Sequence, residues 1–537
     1  MRLAILPALI VLFVLQARPA NNFALTVDNI MRGPALVGYE PTGVRWAHDG
    51  NSILFQWKRN SDKEIAPMDT YTVNRDGSGL RKLTAEEVRQ LPAVAGDTTR
   101  DKHLTVYSSS GDLYTLNNTT GKITQLTKTS EAETNPRFTQ DGKRVTFTRG
   151  GNLFLMSLDN GFLEQLTDIR SAAAPAAAPV GGGGGRGQGG GGRGQGGGGG
   201  RGAAAAAATG DPAAAEPRGT DSQEYLKKEQ KELLQVVRER VELREEQQKK
   251  RIQDPRKPFT LQARQTAGAL QLTPDEKFVI ATVFEAAATP AKNTIVPNYI
   301  TDSVYTEDIT GRSNVGDSQG TSRLAILNVE TGEVKWVDHG QKKDVQMSAP
   351  VWSEDGTKAV IAARSADNKD RWILALDPAT GKTRVLVNIH DDAWVGGPQG
   401  GANTLGWLKN DREVYFISET TGYAQLYAVP FDGVEPRALT TGKWEVLNVR
   451  QSRDKSKFYL IANAEGPSDQ FLYEMPGEGG PLTRISQAPG KHAAVLSPDE
   501  RFIADVYSYT NKPPDLYVQE NRPQQDLKRL TTSPAPE

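Results

Sequence analysis

Cysteine is absent from this 537-residue chain, so disulfides and thiolate metal sites are excluded. Histidine is scarce. The five present, His48, His103, His339, His390 and His492, lie far apart with no ligand-like spacing and read as surface or turn residues, so neither a metal site nor a cofactor is expected. Charge of one sign is not in excess. The 64 basic and 65 acidic residues leave a net charge of −1, which gives no field to steer nucleic acid or an acidic membrane. A P-loop, a dinucleotide fingerprint and an HExxH helix are missing. Past the first twenty residues no apolar run is long enough to span a membrane.

Residues 1–20, MRLAILPALIVLFVLQARPA, combine Arg2, an apolar run from Leu3 to Leu15, and small residues at Ala17 and Ala20. This is the pattern of an export signal, and it predicts a periplasmic or extracellular mature chain.

What the sequence has in abundance is one repeated phrase of about 40 residues. It runs through an apolar residue, a small polar residue, Asp-Gly or a substitute, an apolar strand, a turn, a second strand and a closing Leu-Thr. Pro136–Thr167 and Pro350–Val387 are two copies. Such a repeat of short strands is the signature of a β-propeller blade. Asp49, Asp101, Asp141, Asp275, Asp355, Asp411, Asp454 and Asp499 set the register. They predict an all-β, eight-bladed propeller, with blades near 41–84, 88–128, 134–168, 268–338, 347–387, 403–440, 445–486 and 492–532. Asp-Gly suits the left-handed turn between antiparallel strands. Trp46, Phe138, Trp352 and Trp407, near the start of their phrases, are expected to wedge between blades.

Two gaps in the register hold insertions. The propeller segments are expected at 21–170 and 254–532, followed by a linker beginning at 533–537. Residues 171–220, rich in Ala and Gly, cannot bury a core and are expected to be disordered. Arg186, Arg193 and Arg201 in this stretch raise an RNA-binding reading, but no aromatic stacking partner accompanies them. Residues 221–253 interleave Glu with Lys and Arg around a narrow stripe of Leu226, Leu233, Val237 and Val241, which predicts one exposed charged helix. The second insertion, Glu285–Thr321, gathers Tyr305, Glu307, Asp308 and Arg312. A polar, aromatic loop on a rigid scaffold is where binding residues concentrate, so these four are the candidate substrate-binding residues. Gly316-Asp317-Ser318-Gln319-Gly320 matches G-x-S-x-G, but no buried strand precedes it and no helix follows it. No catalytic residue is therefore expected in this chain.

The segments Leu25–Pro34, Val44–Phe55, Phe416–Val446 and Leu496–Val518 resemble the N-terminal eight-bladed propeller of the prolyl oligopeptidase/dipeptidyl peptidase IV family of serine peptidases. The Trp444-Glu445-Val446 stretch separates it from generic TolB-like propellers. The resemblance implies peptide substrates and a C-terminal α/β-hydrolase domain as partner, with a homodimer left open. That hydrolase domain would begin where this chain ends, at Glu537. The expectation is a non-catalytic, substrate-gating portion of an exported serine peptidase, inactive alone. The alternative is a stand-alone periplasmic TolB-like scaffold that binds proteins. Dipeptidyl members hold the substrate's free α-amino group with acidic propeller residues, and Tyr305-Thr306-Glu307-Asp308 is faintly similar to that acidic stretch.

Overall fold

The computed structural model describes residues 26–63, 65–92, 96–171, 238, 242, 256–289, 292–314, 317–396, 404–433 and 435–534. The expected export signal and the Gly-rich insertion lie outside them. So does the expected charged helix, except for Arg238 and Glu242, both helical.

Eight antiparallel sheets follow one another along the chain, at 42–82, 96–125, 133–165, 265–336, 345–390, 405–438, 446–484 and 491–529. In each, strands pair in sequence order, and in blade five the first strand is split into Val345–Met347 and Val351–Trp352. The eight-bladed propeller read from the sequence is the observed fold. First strands lie at the hub, where they touch one another. The Trp46 indole N–H donates to the Val495 carbonyl at 2.8 Å, and that of Trp407 to the Val351 carbonyl at 3.0 Å. Both bonds join first strands of adjacent blades, as the wedge reading requires. Fourth strands are mostly two or three residues long and largely exposed, as in Arg81–Lys82 and Lys528–Arg529, whereas that of blade five, Thr383–His390, runs for eight.

The core is a series of apolar layers between blades rather than one centre. Phe458, Leu460 and Tyr473 of blade seven pack on Tyr415, Ile417 and Leu426 of blade six. Ile361 and Leu374 of blade five pack on Ile280 and Leu324 of blade four. The ring closes in the same way. Ile53, Phe55 and Trp57 of blade one meet Ala504, Leu516 and Val518 of blade eight. No strand is exchanged, since each of these two sheets is built from one continuous segment. The chain ends reinforce the seam. The Trp57 indole N–H lies within 3.0 Å of the Tyr39 carbonyl and 3.1 Å of Ser533 Oγ. Gly38, at φ +83°, abuts Ser533 so closely that a Cβ would fall 1.9 Å from its carbonyl oxygen.

The repeated phrase has a hydrogen-bonding cause at both ends. In the first turn of blade five, the Ser353 hydroxyl donates to Asp355 at 2.6 Å and accepts from the Lys358 N–H at 3.0 Å, while Asp355 also accepts from the Thr357 N–H at 2.9 Å. Blades two, three, four, seven and eight repeat this with Thr99, Thr139, Thr273, Ser452 and Ser497. These bonds favour the carboxylate, and Asp355 is lowered to about 2, chiefly by the Ser353 hydroxyl. The next residue takes a left-handed φ, whether Gly356 at 74° or Lys455 at 56°. In blade six the register differs by one. Asn410 accepts the turn N–H, and Asp411 is itself the left-handed residue, at 50°.

At the other end, the Leu of Leu-Thr donates its N–H to a third-strand carbonyl, as Leu439 does to Leu426 at 2.8 Å. The Thr hydroxyl then accepts that same residue's N–H, here Leu426 to Thr440 at 2.9 Å. A side chain thus supplies the next acceptor of the ladder and lets the backbone leave the sheet. Leu153–Thr167 and Leu516–Thr531 repeat the bond at 2.9 Å. In blade one the equivalent Thr84 has another task. It caps a helix, Ala85–Gln90, through a reciprocal box with Glu87, an element that strand periodicity did not suggest.

Alternation of strand direction divides the propeller into two faces. One, the turn face, carries the Asp turns and the links between third and fourth strands. The other, the loop face, carries the links between second and third strands and the connections between blades. Both insertions emerge on the loop face. The longer one is flanked by a parallel pair, Ile169–Arg170 beside Phe259–Thr260.

The hub wedges yield a direct contrast. Trp407→Phe should cost about 1 kcal/mol through loss of its hydrogen bond. Trp352→Phe should cost clearly less, because the Trp352 indole N–H is buried with no acceptor. Denaturant midpoints of the two variants check this, and equal losses would contradict the wedge account.

Candidate functional site: the loop face of the propeller

The turn face is closed over the hub by contacts that skip blades. Lys102 Nζ of blade two reaches the Arg453 carbonyl of blade seven at 2.5 Å. Lys455 of blade seven pairs with Glu354 of blade five at 2.9 Å. Gln140 of blade three donates to the Glu354 carbonyl at 3.1 Å. Between the adjacent blades six and five, the Asp411 carboxylate accepts both the Glu354 and Asp355 N–H groups, at 3.0 and 2.9 Å. These turns surround a charged cavity of about 410 Å³, with Arg100 and Lys409 among its lining residues.

The loop face is the elaborated one. From blade four projects a two-stranded ribbon, Asn293–Asn298 paired with Glu307–Ser313. The sequence suggested only a loop there. Three of the four candidate residues belong to its second strand, and Tyr305 stands just before it, 81% exposed. Glu307 is opposite Asn298 and Asp308 opposite Pro297. Being successive in a strand, Glu307 and Asp308 point to opposite sides of the ribbon. The Ser303 hydroxyl donates to Glu307 at 3.1 Å, and neither carboxylate forms an ion pair among the described residues. Arg312 lies in the strand, with its side chain outside the described set. Ser318 sits in an irregular segment that leads into a strand, Thr321–Asn328, and not into a helix. A nucleophile elbow instead sets its Ser on a strand-to-helix turn.

A second group on this face was not singled out from the sequence. Trp394, 69% exposed, lies in the connection from blade five to six. Its indole nitrogen and the Glu419 carboxylate flank Gly396, at 3.1 and 3.4 Å from where a Cβ would stand. Glu419 belongs to the second-to-third-strand turn of blade six, and Glu445 to the connection from blade six to seven. Burial, and then the Glu445 charge, raise the Glu419 carboxyl above its ordinary value. The only sequence signal was that both glutamates fall within Phe416–Val446.

Comparison with known proteins shows what this propeller resembles. Residues 268–514 match the family model of the dipeptidyl peptidase IV (DPP IV) N-terminal region. A probable dipeptidyl peptidase 4 of Aspergillus flavus is 25% identical over 279 residues, which cover 49% of this chain and 35% of that protein. A probable dipeptidyl-aminopeptidase B of Penicillium rubens is 32% identical over 154 residues, 26% of this chain and 17% of the relative. The crystal structure of Porphyromonas gingivalis dipeptidyl peptidase 4 superposes with a TM-score of 0.54 at 15% identity, covering 95% of this chain and 62% of that one. This last likeness speaks for the fold. The chain thus spans about a third of the length of the Aspergillus relative. The resemblance to the family's N-terminal propeller is borne out over residues 268–514.

If Glu445 holds part of the Glu419 shift, Glu445→Gln should lower the Glu419 titration midpoint while burial keeps it above the ordinary range. Carboxyl carbon NMR reads both. An unmoved midpoint would remove Glu445 from the site.

Proposed function

We propose that this dipeptidyl peptidase IV-type propeller is the substrate-gating portion of an exported serine peptidase, with peptides handled on its loop face. The observation that carries the reading is the family match over residues 268–514, on a ring whose turn face is closed over the hub. Both chain ends support the same side. The segment before Thr42 and that after Arg529 meet on the loop face at Gly38 and Ser533, so a hydrolase domain joined there would lie on the loop-face side. Closure of the opposite face would leave peptides to enter from this side and would exclude folded proteins by size. Tyr305, Glu307, Asp308 and Arg312 are proposed to contact the peptide. A carboxylate on the ribbon would bind a free α-amino group through charge-assisted hydrogen bonds. Export rests on residues 1–20. Among the described residues no helix is long and apolar enough to cross a membrane.

A homodimer through the ribbon belongs to the same reading. Ile300 and Val304, at the ribbon tip, are each 91% exposed, and Ile295, Val296 and Ile309 are exposed along its length. Apolar side chains presented this way favour burial against a second copy.

Three measurements test these statements. The purified chain should not turn over chromogenic dipeptidyl or prolyl substrates, and the gene's reading frame past codon 537 should encode a serine in strand–turn–helix context. Turnover by residues 1–537 that is lost in Ser318→Ala, or a stop at codon 538, would overturn the reading. For the dimer, light scattering should give twice the chain mass and fall to the monomer in the Ile300→Ser/Val304→Ser variant. A monomeric parent chain would refute it.

A further inference from the structure

His492 was read from the sequence as a surface or turn residue. The structure corrects this, for it is 2% exposed. Its ring is stacked between Phe471 of blade seven, 5.8 Å between centroids, and Tyr507 of blade eight, at 4.9 Å. Both ring nitrogens face acceptors. Nδ1 is 2.5 Å from Asp505 Oδ2, and Nε2 is 2.7 Å from the Ala488 carbonyl oxygen. Ala488 belongs to residues 486–490, the connection from blade seven to blade eight on the loop face. That connection is held at two further points. The Tyr507 hydroxyl donates to the Pro489 carbonyl at 2.7 Å, and the Gln470 N–H to the Gly490 carbonyl at 2.8 Å.

We propose that His492 and Asp505 form a proton-dependent clamp that fastens the blade seven–eight connection, and with it the last blade interface before the ring closes. The pair satisfies its hydrogen bonds only while it holds one proton beyond the neutral imidazole and the carboxylate. With that proton the imidazole donates to Ala488 and shares a hydrogen with Asp505. Without it, one ring nitrogen turns a lone pair toward an oxygen, either the carboxylate or the carbonyl. A carboxylate is then left buried, and its second oxygen, Asp505 Oδ1, already has no partner. An unpaired buried charge of this kind is strongly destabilising.

The surrounding charges act in the same direction. Burial pulls the imidazolium down, but the Asp505 bond and charge, the Ala488 carbonyl and the Asp469 charge outweigh it, so its pKa lies above the ordinary value. The other groups around the ring are few. Blade seven brings Asp469 and Phe471, with Arg484 over the Phe471 ring at 4.8 Å. Blade eight brings Asp505 and Tyr507, with Lys512 over Tyr507 at 5.9 Å and Tyr517 against its edge at 5.5 Å. Beyond Tyr517, Asp515 is paired with Arg529. Lys491 on the same strand points to solvent. Residues 486–490, SQAPG, carry no titratable side chain. With the folded pKa raised, the clamp contributes in full below the unfolded value, about 6.5, and is lost as pH rises through the folded pKa. The clamp stands whatever the loop face binds.

The test is the pH dependence of stability of the whole chain, read from thermal midpoints between pH 5.5 and 9.5. The wild type should exceed His492→Gln at low pH, and the gap should shrink as pH rises. A gap constant across the range overturns the clamp. Nitrogen-15 histidine NMR of the wild type decides the matter if His492→Gln does not fold. The His492 resonances should titrate above about 6.5, and a midpoint at or below that value overturns the proposal. Asp505→Asn, where it folds, should lower the His492 midpoint, and an unchanged midpoint excludes Asp505 as partner.

Discussion

Apolar contact between neighbouring blades is the constraint on which everything else in this molecule rests. A four-stranded sheet of this size cannot stand alone in water, because both of its faces are apolar and neither covers the other. Each blade is therefore completed by its neighbours, and the ring must close for the first and last blades to be completed at all. Here closure is achieved by packing without strand exchange, with Phe55 and Trp57 set against Leu516 and Val518. Trp46 and Trp57 add directional bonds to that seam. A ring sealed this way depends on side-chain fit at one interface, and the chain ends lie across that same interface.

The two faces inherit different chemistry from this construction. The Asp turns are tight, hydrogen-bonded and short enough to meet over the hub, so their side chains saturate one another. Lys455 pairs with Glu354 and Lys102 donates to the Arg453 carbonyl, which ties turns of non-adjacent blades together across the hub. The loop face has no such uniform turn, and length can vary there without disturbing the ladders. The ribbon, the parallel stem of the long insertion, Trp394 and the 486–490 connection all belong to it. Binding residues gather where a rigid scaffold tolerates variation, and that asymmetry supports placing the peptide on this face.

The fold was legible because its instructions are local. A hydroxyl, an Asp and a left-handed residue within six positions specify the first turn, and Leu-Thr specifies the exit, so eight copies could be counted. Where the local instruction changed, the reading slipped. Asn410 took the role assigned to Asp411, and Thr84 began a helix. The candidate site was less legible, because it depends on proximity between distant segments. Tyr305 and Glu307 were found as a polar cluster, but the ribbon that separates the sides of Glu307 and Asp308 was not. The Glu419–Glu445 pair joins two neighbouring blades, and the contact between Lys102 and Arg453 joins positions that only the closed ring brings together. His492 misled for a related reason. A histidine thirteen residues from its partner carboxylate has no spacing signature, and its burial comes from Phe471 on another blade.

The account's central claim is that peptides meet this propeller on its loop face. Because the chain has no cysteine, a peptide bearing a free N-terminus and a photoreactive group can be mapped without background thiol chemistry. The account predicts cross-links within residues 292–314, 391–396 and 419–445. Cross-links concentrated on the Asp turns, at 99–103, 353–356 and 452–455, would contradict it.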